Sequence, residues 1–328
     1  MNTRTNLILF FLLLIASLGS VVFSLAVGSI DINFARNVLE IFRPSGSLES
    51  QILHELRLPR ALAAYITGGL LALSGVIMQV LLRNPLADPY ILGISGGAAV
   101  AALSSIIIGV SAVWVPQAAF VGAMFSIALV FGIANTGGQR TVTRLLLTGV
   151  VISAGWGAVI NILLTTSSSN NVQSMLFWLM GDLSQSRFAL WQAVILFLGL
   201  ATGIASARSL NVLARGEQTA ITLGVNAGKL RLLLYFTASL LTACAVTIAG
   251  TVGFVGLITP HLLRMTGASD HRLLVPFSVM LGGSFLVVAD TLARTMAAPQ
   301  QLPVGVITAL IGVPLFILIL RNASGLKK

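Results

Sequence analysis

The chain has 328 residues, 56% of them apolar, and it carries 19 basic and 9 acidic side chains. A soluble chain of this length would carry roughly 80 charged residues, a quarter of the total. The composition therefore excludes a soluble globule, a disordered chain and a collagen. Because Cys244 is the only cysteine, a disulfide scaffold and a cysteine-based zinc site are also excluded. The chain is predicted to lie in a lipid membrane.

The net charge of +10 raises the question of a nucleic-acid partner. A nucleic-acid-binding protein gathers its basic residues on one solvent-facing surface. Here the basic residues are scattered between apolar runs, so no nucleic-acid partner is predicted. Their distribution instead indicates how the chain is oriented in the bilayer.

Charge-free stretches predict the membrane crossings, since one helical crossing takes about 20 apolar residues. Two long stretches are predicted to supply three crossings, two from residues 89–139, with a turn near residue 114, and one from residues 295–320. Five further stretches fit one crossing each: residues 7–27, 61–82, 145–164, 188–207 and 273–289. The first of these could instead be a cleaved signal peptide, but its length and the spans that follow favour a retained span.

The 32 charge-free residues 232–263 are too many for one crossing and few for two. If they cross twice, the 19 basic residues divide 13 inside to 6 outside, whereas a single crossing divides them 9 to 10. The positive-inside tendency therefore favours ten spans with both termini cytoplasmic. The eighth span is then short and irregular. The six basic residues predicted to lie outside are Arg36, Arg43, Arg57, Arg60, Arg187 and Arg294.

Two regions rich in glycine and proline interrupt the predicted spans. The first runs from NPLADP at residues 84–89 into GISGG at 93–97, and the second covers residues 250–260. A broken helix at membrane depth has to be surrounded by protein or water. The two regions follow the second and the seventh span, which run in opposite directions, so we consider an inverted repeat of spans 2–5 and 7–10.

Catalytic and metal-binding chemistry is not indicated by the residue pattern. His261 lies near the inner end of span eight without a carboxylate at ligand spacing, so an interfacial role is favoured over metal ligation. The segment GVNAGKL at residues 224–230 differs from a phosphate loop in its glycine spacing and in Leu230. We therefore predict no catalytic residue, metal site or cofactor, and energy supplied by another chain. A secondary transporter or channel working alone is the alternative, and a membrane enzyme is third.

Four motifs, taken together, are similar to one family of permeases. They are LRLPR at residues 56–60; MQ at 78–79 with NPLADP at 84–89 and LGIS at 92–95; LGV at 223–225; and GFVGLITPH at 253–261 with DTLAR at 290–294 and LPVGV at 302–306. With these motifs the chain resembles the FecCD-like permease subunits of bacterial ATP-driven importers for ferric siderophores, haem and cobalamin.

The resemblance implies an all-α, ten-span permease domain over residues 1–328 in the bacterial inner membrane, embedded in lipid. Its implied partners are two ATPase subunits, which would use ATP and Mg²⁺, and a periplasmic substrate-binding protein. A second permease subunit is implied as well, either an identical copy or a close paralogue. Residues 207–231 would form the cytoplasmic coupling loop.

Within that loop, residues 214–225 are similar to the family's coupling helix. Glu217 would lie in its first turn, where a carboxylate suits the positive end of the helix dipole. Ala220 and Leu223 would offer an apolar knob to the ATPase, while Gly224 would end the helix before Val225. An ordinary capped loop helix is the alternative.

On the outer side, the resemblance implies that arginines bind carboxylates of the binding protein. The matching positions are Arg57, Arg60 and Arg294. The alternative is snorkelling, or pairing with a local acid such as Glu55 or Asp290.

The resemblance also implies an inner gate and pathway-lining residues, with ordinary packing as the alternative. The gate would combine the turn at Asn84 and Leu86 with the start of span five at Val142 and Thr143. Valine at position 142 departs from the hydroxyl residue expected there. The residues predicted to line the pathway are Met78, Gln79 and Gly93.

Overall fold

The computed structural model describes residues 3–28, 47–135, 142–186 and 188–325. Arg36, Arg43, Arg140 and Arg187 lie outside the described residues, as do Lys327 and Lys328. The described helices are α1 (Thr3–Ala26), α2 (Leu48–Leu81), α3 (Ile94–Ile107), α4 (Val115–Asn135), α5 (Val142–Thr166), α6 (Ser169–Met180), α7 (Leu190–Ala205), α8 (Ala207–Ala214), α9 (Glu217–Thr222), α10 (Ala227–Ala249), α11 (Val255–Met265), α12 (His271–Thr295) and α13 (Val304–Gly325).

In the described part of the chain, six helices are long and apolar enough to cross a membrane: α1, α2, α4, α5, α10 and α12. The pair α7 and α8, bent by 61°, makes a seventh candidate span, and α3 and α13 are shorter apolar helices. The all-helical polytopic fold predicted from the sequence is confirmed. The predicted pair of crossings in residues 89–139 corresponds to α3 and α4, with the turn just before Val115.

Side-chain caps mark several of the helix starts. The Asp270 carboxylate accepts the backbone N–H of Arg272 at 2.9 Å at the start of α12. At the start of α10 the Asn226 amide oxygen accepts the N–H of Lys229 at 3.0 Å. Each cap satisfies one of the N–H groups that a helix start leaves without an intrahelical partner.

Helix α2 lies at the centre of the bundle. Of its most apolar stretch 89% is buried, compared with 11% for α5. It packs against α10, α11 and α12, and the contact with α12 is made by Gly68 and Gly282. A Cβ atom on Gly68 would overlap the Gly282 carbonyl group. In lipid, where apolar burial does not favour one helix contact over another, such close backbone approach holds helices together.

The predicted eighth span is a half-length helix. Residues 250–254 are not helical, and α11 contains only 11 residues, about 16 Å at 1.5 Å per residue. We call the end of α2 at Leu81 the lower end of the bundle and its other end the upper end. Helix α11 begins where Gly256 packs against Gly75 in α2, and near its own end Arg264 reaches Gln79. It therefore covers only the lower half of the bundle.

Helix α3 is the counterpart of α11 in the upper half. After α2 ends, the chain turns back along the bundle until Pro89 packs against Gly256, and the single 3₁₀ turn Pro89–Leu92 follows. Helix α3 then runs 14 residues in the opposite direction to α11. The residue before each helix has a positive φ of 71°, Gly93 before α3 and Phe254 before α11. The two matching interruptions support the inverted repeat of spans 2–5 and 7–10.

Candidate functional site

At the upper end of the bundle, Arg60 is paired with a buried acid. Its Nε donates to both carboxylate oxygens of Asp290, at 3.1 and 3.0 Å, and its Nη2 donates to Oδ1 at 2.8 Å. Its Nη1 donates to the amide oxygen of Gln301 at 2.9 Å. Pairing with a local acid, the alternative raised for this arginine, is therefore what the structure shows. A narrow edge of the Arg60 side chain stays exposed.

Arg57 and Arg294 are buried beneath the end of α1. Arg57 Nη1 donates to the carbonyl oxygens of Leu25, at 2.6 Å, and Ala26, at 3.3 Å. Arg294 Nη2 donates to the carbonyl oxygen and, at 2.8 Å, to the hydroxyl of Ser24. The last carbonyl groups of a helix lack intrahelical partners and carry partial negative charge, so two guanidinium groups stabilise this end. A partner's carboxylate would reach these two arginines only after α1 moved.

Met78 and Gln79 are buried near the lower end of α2, Met78 in the hydrophobic core and Gln79 against α11. The Gln79 Nε2 donates to the carbonyl oxygens of Gly256, at 3.4 Å, and Leu257, at 3.3 Å. Its Oε1 accepts a hydrogen bond from Arg264 Nη1 at 2.5 Å. This buried amide thus holds the lower end of α2 to α11. The structure therefore places Gln79 at a helix contact and Met78 in the core.

The turn that follows α2 is at the surface. Asn84 accepts the N–H of Leu86 through its side chain at 2.9 Å and the N–H of Ala87 through its carbonyl at 3.0 Å. Leu86 is 39% exposed. Across the gap in the described residues, Val142 begins α5 and the side chain of Thr143 is exposed.

Gly93 lies at the middle of the bundle, buried between α3, α4 and α5. Its carbonyl oxygen accepts the Ser126 hydroxyl at 2.8 Å, and a Cβ atom at this position would meet Ser153. Beside it, the Tyr90 hydroxyl donates to the Val252 carbonyl at 3.2 Å and accepts the Val252 N–H at 3.1 Å. The breaks before α3 and α11 are therefore joined directly.

A cavity of about 610 Å³ opens beside the break before α11. The sequence predicts that break but not the walls that α6 and α13 contribute. At this wall α13 packs closely on the end of α6, because a Cβ atom at Gly305 would overlap the carbonyl of Met180. The lining residues are Leu179, Met180, Thr251, Gly253, Phe254, Gly305, Val306, Ala309, Leu310, Val313 and Pro314. The wall is almost entirely apolar, and no group of His, Cys, Asp and Glu suited to a metal occurs among the described residues.

At the lower end, α9 is the short helix predicted between residues 214 and 225. Glu217 is in its first turn, and Gly224 follows it with φ of 77°. The Gly224 N–H donates to the Ile221 carbonyl at 3.0 Å and the Val225 N–H to the Ala220 carbonyl at 2.9 Å. These two bonds form a Schellman motif, in which glycine takes the left-handed position at low cost.

The apolar face of α9 differs from the predicted one. Ala220 is fully buried and faces the bundle, whereas Ile221 is 53% and Leu223 is 65% exposed. The exposed pair is thus Ile221 and Leu223, in which Ile221 takes the place predicted for Ala220. Glu217 points to the bundle, where its Oε1 accepts a hydrogen bond from Arg231 Nη1 at 2.6 Å. Its Oε2 lies 3.9 Å from Arg83 Nη2.

Comparison with known proteins gives two curated relatives with import roles. The cobalamin import system permease protein BtuC of Halobacterium salinarum is 43% identical over 274 residues, which cover 83% of this chain and 73% of the relative. The hemin transport system permease protein HmuU of Yersinia pestis is 39% identical over 279 residues, 81% of this chain and 82% of the relative.

A solved structure matches nearly the whole chain. It shows an ABC transporter, assigned to the metal-chelate type, in an inward-facing conformation. The match has a TM-score of 0.85 and 32% sequence identity, and it covers 96% of this chain and 99% of the other. The family model of the FecCD transport family matches residues 12–322. Since this match includes almost the whole sequence, the chain belongs to the FecCD transport family.

Proposed function

We propose that this chain is the permease subunit of an ATP-driven importer that carries cobalamin, haem or another metal chelate. The observation that carries the proposal is the full-length likeness to a metal-chelate type ABC transporter. The names of the two relatives supply the other cargo classes. The chelate holds its own metal, so the chain itself needs no metal ligands.

Partner ATPase subunits would use ATP and Mg²⁺, and this chain would hydrolyse nothing. In support, Asn226 caps α10, so the segment that most resembles a phosphate loop is an ordinary helix start.

The ATPase contact we propose is α9, which presents Ile221 and Leu223 as an exposed apolar pair. The lower end of the bundle is then cytoplasmic, with both termini on that side of the bacterial inner membrane.

A second permease subunit, identical or closely related, would cover the exposed side of α5. Only 11% of the most apolar stretch of α5 is buried within this chain. The cavity beside α13 would then form one wall of a shared pathway. An apolar wall suits passage, because a large chelate moves on only when each contact binds it weakly.

The inner gate would combine Asn84 and Leu86 with the start of α5 at Val142 and Thr143.

A periplasmic binding protein would deliver the cargo at the upper end. Arg60 is the docking residue we propose, because its side chain keeps an exposed edge beside its pair with Asp290. Docking by Arg57 and Arg294 stays a prediction, and it requires α1 to move from the positions that these side chains now stabilise.

The experiment is uptake by liposomes that contain this chain with its ATPase subunits, with the binding protein outside. Labelled cyanocobalamin, haemin and a ferric siderophore would be offered in turn. We expect ATP-dependent uptake of at least one of the three. Absence of uptake for all three, in liposomes whose ATPase is active, would contradict the proposed cargo class.

A further inference from the structure

The ends of α2 and α9 have the same hydrogen-bond pattern but different residues at the critical position. At the end of α2, the Arg83 N–H donates to the Val80 carbonyl at 3.2 Å and the Asn84 N–H to the Gln79 carbonyl at 3.1 Å. This is again a Schellman motif, with Arg83 at φ of 47° where α9 has glycine. A side chain disfavours the left-handed conformation, so the backbone alone would favour glycine at position 83.

The Arg83 side chain reaches the proposed coupling helix. Its Nη2 lies 3.9 Å from Glu217 Oε2, while Glu217 Oε1 holds Arg231 in α10 at 2.6 Å. Glu217 therefore joins the first turn of α9 to two transmembrane helices. The bond to Arg231 is short and its guanidinium well covered, whereas the side chains of Arg83 and Glu217 are 43% and 40% exposed. Of these two ion pairs, the one between Arg83 and Glu217 is therefore the one that water can more readily replace.

Arg83 is followed directly by the exposed turn at Asn84 and Leu86. This end of α2 is also linked to α11 through Gln79. The Gln79 carbonyl accepts the N–H of Asn84. The Gln79 side chain donates to the carbonyl oxygens of Gly256 and Leu257. A displacement of α9 that pulls on Arg83 therefore acts on the turn and, through Gln79, on the first turn of α11. No other described arginine has a positive φ.

We propose that Arg83 is a positioning residue that transmits movement of α9 to the turn at Asn84 and Leu86. The inference rests on the proposed function, since it takes α9 as the ATPase contact. The substitution Arg83→Gly separates a transmitting role from a purely structural one. If Arg83 only ends the helix, the response of the turn to ATP should survive this substitution, whereas if Arg83 transmits movement, the response should be lost. Glycine at position 83 suits the backbone at least as well, so Arg83→Gly removes the link while the folded end of α2 is retained.

The test uses a single reporter cysteine in the complete complex with its ATPase. Cys244 is buried and is the only native cysteine, so Cys244→Ala with Leu86→Cys gives one exposed thiol. A membrane-impermeant maleimide would label it with and without MgATP. We call this double variant the parent. In the parent, we expect MgATP to change the rate at which the thiol at position 86 is labelled by roughly fivefold or more, as for typical coupling between sites.

Arg83→Gly in the parent is expected to abolish most of the ATP-dependent change while the ATPase stays bound and the melting temperature is kept. Arg83→Lys, which retains the charge, should keep part of it. In a Glu217→Gln background, Arg83→Gly should have no further effect. Arg272→Gln removes a charge from the same end of the bundle away from α9, and it should behave as the parent.

Full ATP-dependent change in Arg83→Gly would overturn the inference, and so would a parent in which residue 86 does not respond to ATP. The proposed ATPase contact is tested separately by Leu223→Arg, which should release the ATPase. If the ATPase remains bound to Leu223→Arg, the contact is misplaced. If Leu223→Arg releases the ATPase but Arg83→Gly behaves as the parent, only the role of Arg83 is wrong.

Discussion

Individual glycines decide how closely the helices of this bundle approach. Gly68 and Gly282 bring the backbones of α2 and α12 together, and neither position has room for a Cβ atom. We predict that Gly68→Val destabilises the protein by about 1–3 kcal/mol or more, because the helices have to separate. The measurement is the melting temperature in detergent. Gly155→Ala is the matched control, since a Cβ atom at Gly155 would meet nothing within 4 Å.

Asp270 makes one end of the bundle sensitive to acid. Desolvation alone would raise its pKa, but hydrogen bonds from the Arg272 backbone and the Asn211 amide, with nearby positive charge, hold the pKa of this carboxyl below its usual value. A lowered folded-state pKa means that ionised Asp270 stabilises the protein above pH of about 4, and that this contribution is lost as the pH falls through the folded-state pKa.

We therefore predict that Asp270→Ala destabilises the protein by about 1 kcal/mol at pH 7, the usual cost of losing a helix cap. The difference from the native protein should shrink as the pH falls below 4. Melting temperatures measured from pH 7 to pH 3 would show this, with Asp270→Asn as a capping residue that does not titrate. A difference that stays constant over this pH range would contradict the role given to the ionised carboxylate.

Charge alone is a poor guide to exposure at the residue scale. The span count predicts Arg57 and Arg294 on the outer side, and the structure buries both against α1. Both bind backbone carbonyls far away in the chain, Arg57 that of Leu25 at a separation of 32 residues and Arg294 that of Ser24 at a separation of 270 residues. Such partners leave no side-chain signal in a sequence.

At the scale of elements, α9 depends on its glycine terminus. Gly224 has φ of 77° and closes the helix through two backbone hydrogen bonds. We predict that Gly224→Val disrupts this end and moves Leu223, so that ATP hydrolysis continues while transport per ATP falls. Gly224→Asn is the matched control, because asparagine tolerates the left-handed conformation. Equal transport per ATP in the two variants would remove α9 from the coupling step.

The crossing count shows what residue patterns reveal about elements and what they leave open. Charge-free length located the spans because lipid excludes charge, and the break before α11 was anticipated from its glycines. The short eighth span was predicted too, but not the residue at which its helix begins, since a count of apolar residues does not separate helix from the non-helical backbone of residues 250–254. The six-residue α9 is likewise too short for its periodicity to show that Ala220 faces inward.

At the scale of the whole molecule, two half-helices begin at mid-depth and run in opposite directions. Their starts are joined by Tyr90 and Val252, and the apolar cavity lies beside the start of α11. The sequence located the two breaks, but the cavity could not be anticipated because α6 and α13 meet the break only through tertiary packing.

The central claim, that transport is powered by a separate ATPase acting on this chain, is tested most directly by uptake into liposomes under two conditions. One set contains this chain alone with an imposed ion gradient, and the other contains the chain with its ATPase, ATP and no gradient. We expect uptake of the cargo only in the second set. Uptake by the chain alone, driven by the gradient, would contradict the claim and identify a secondary transporter.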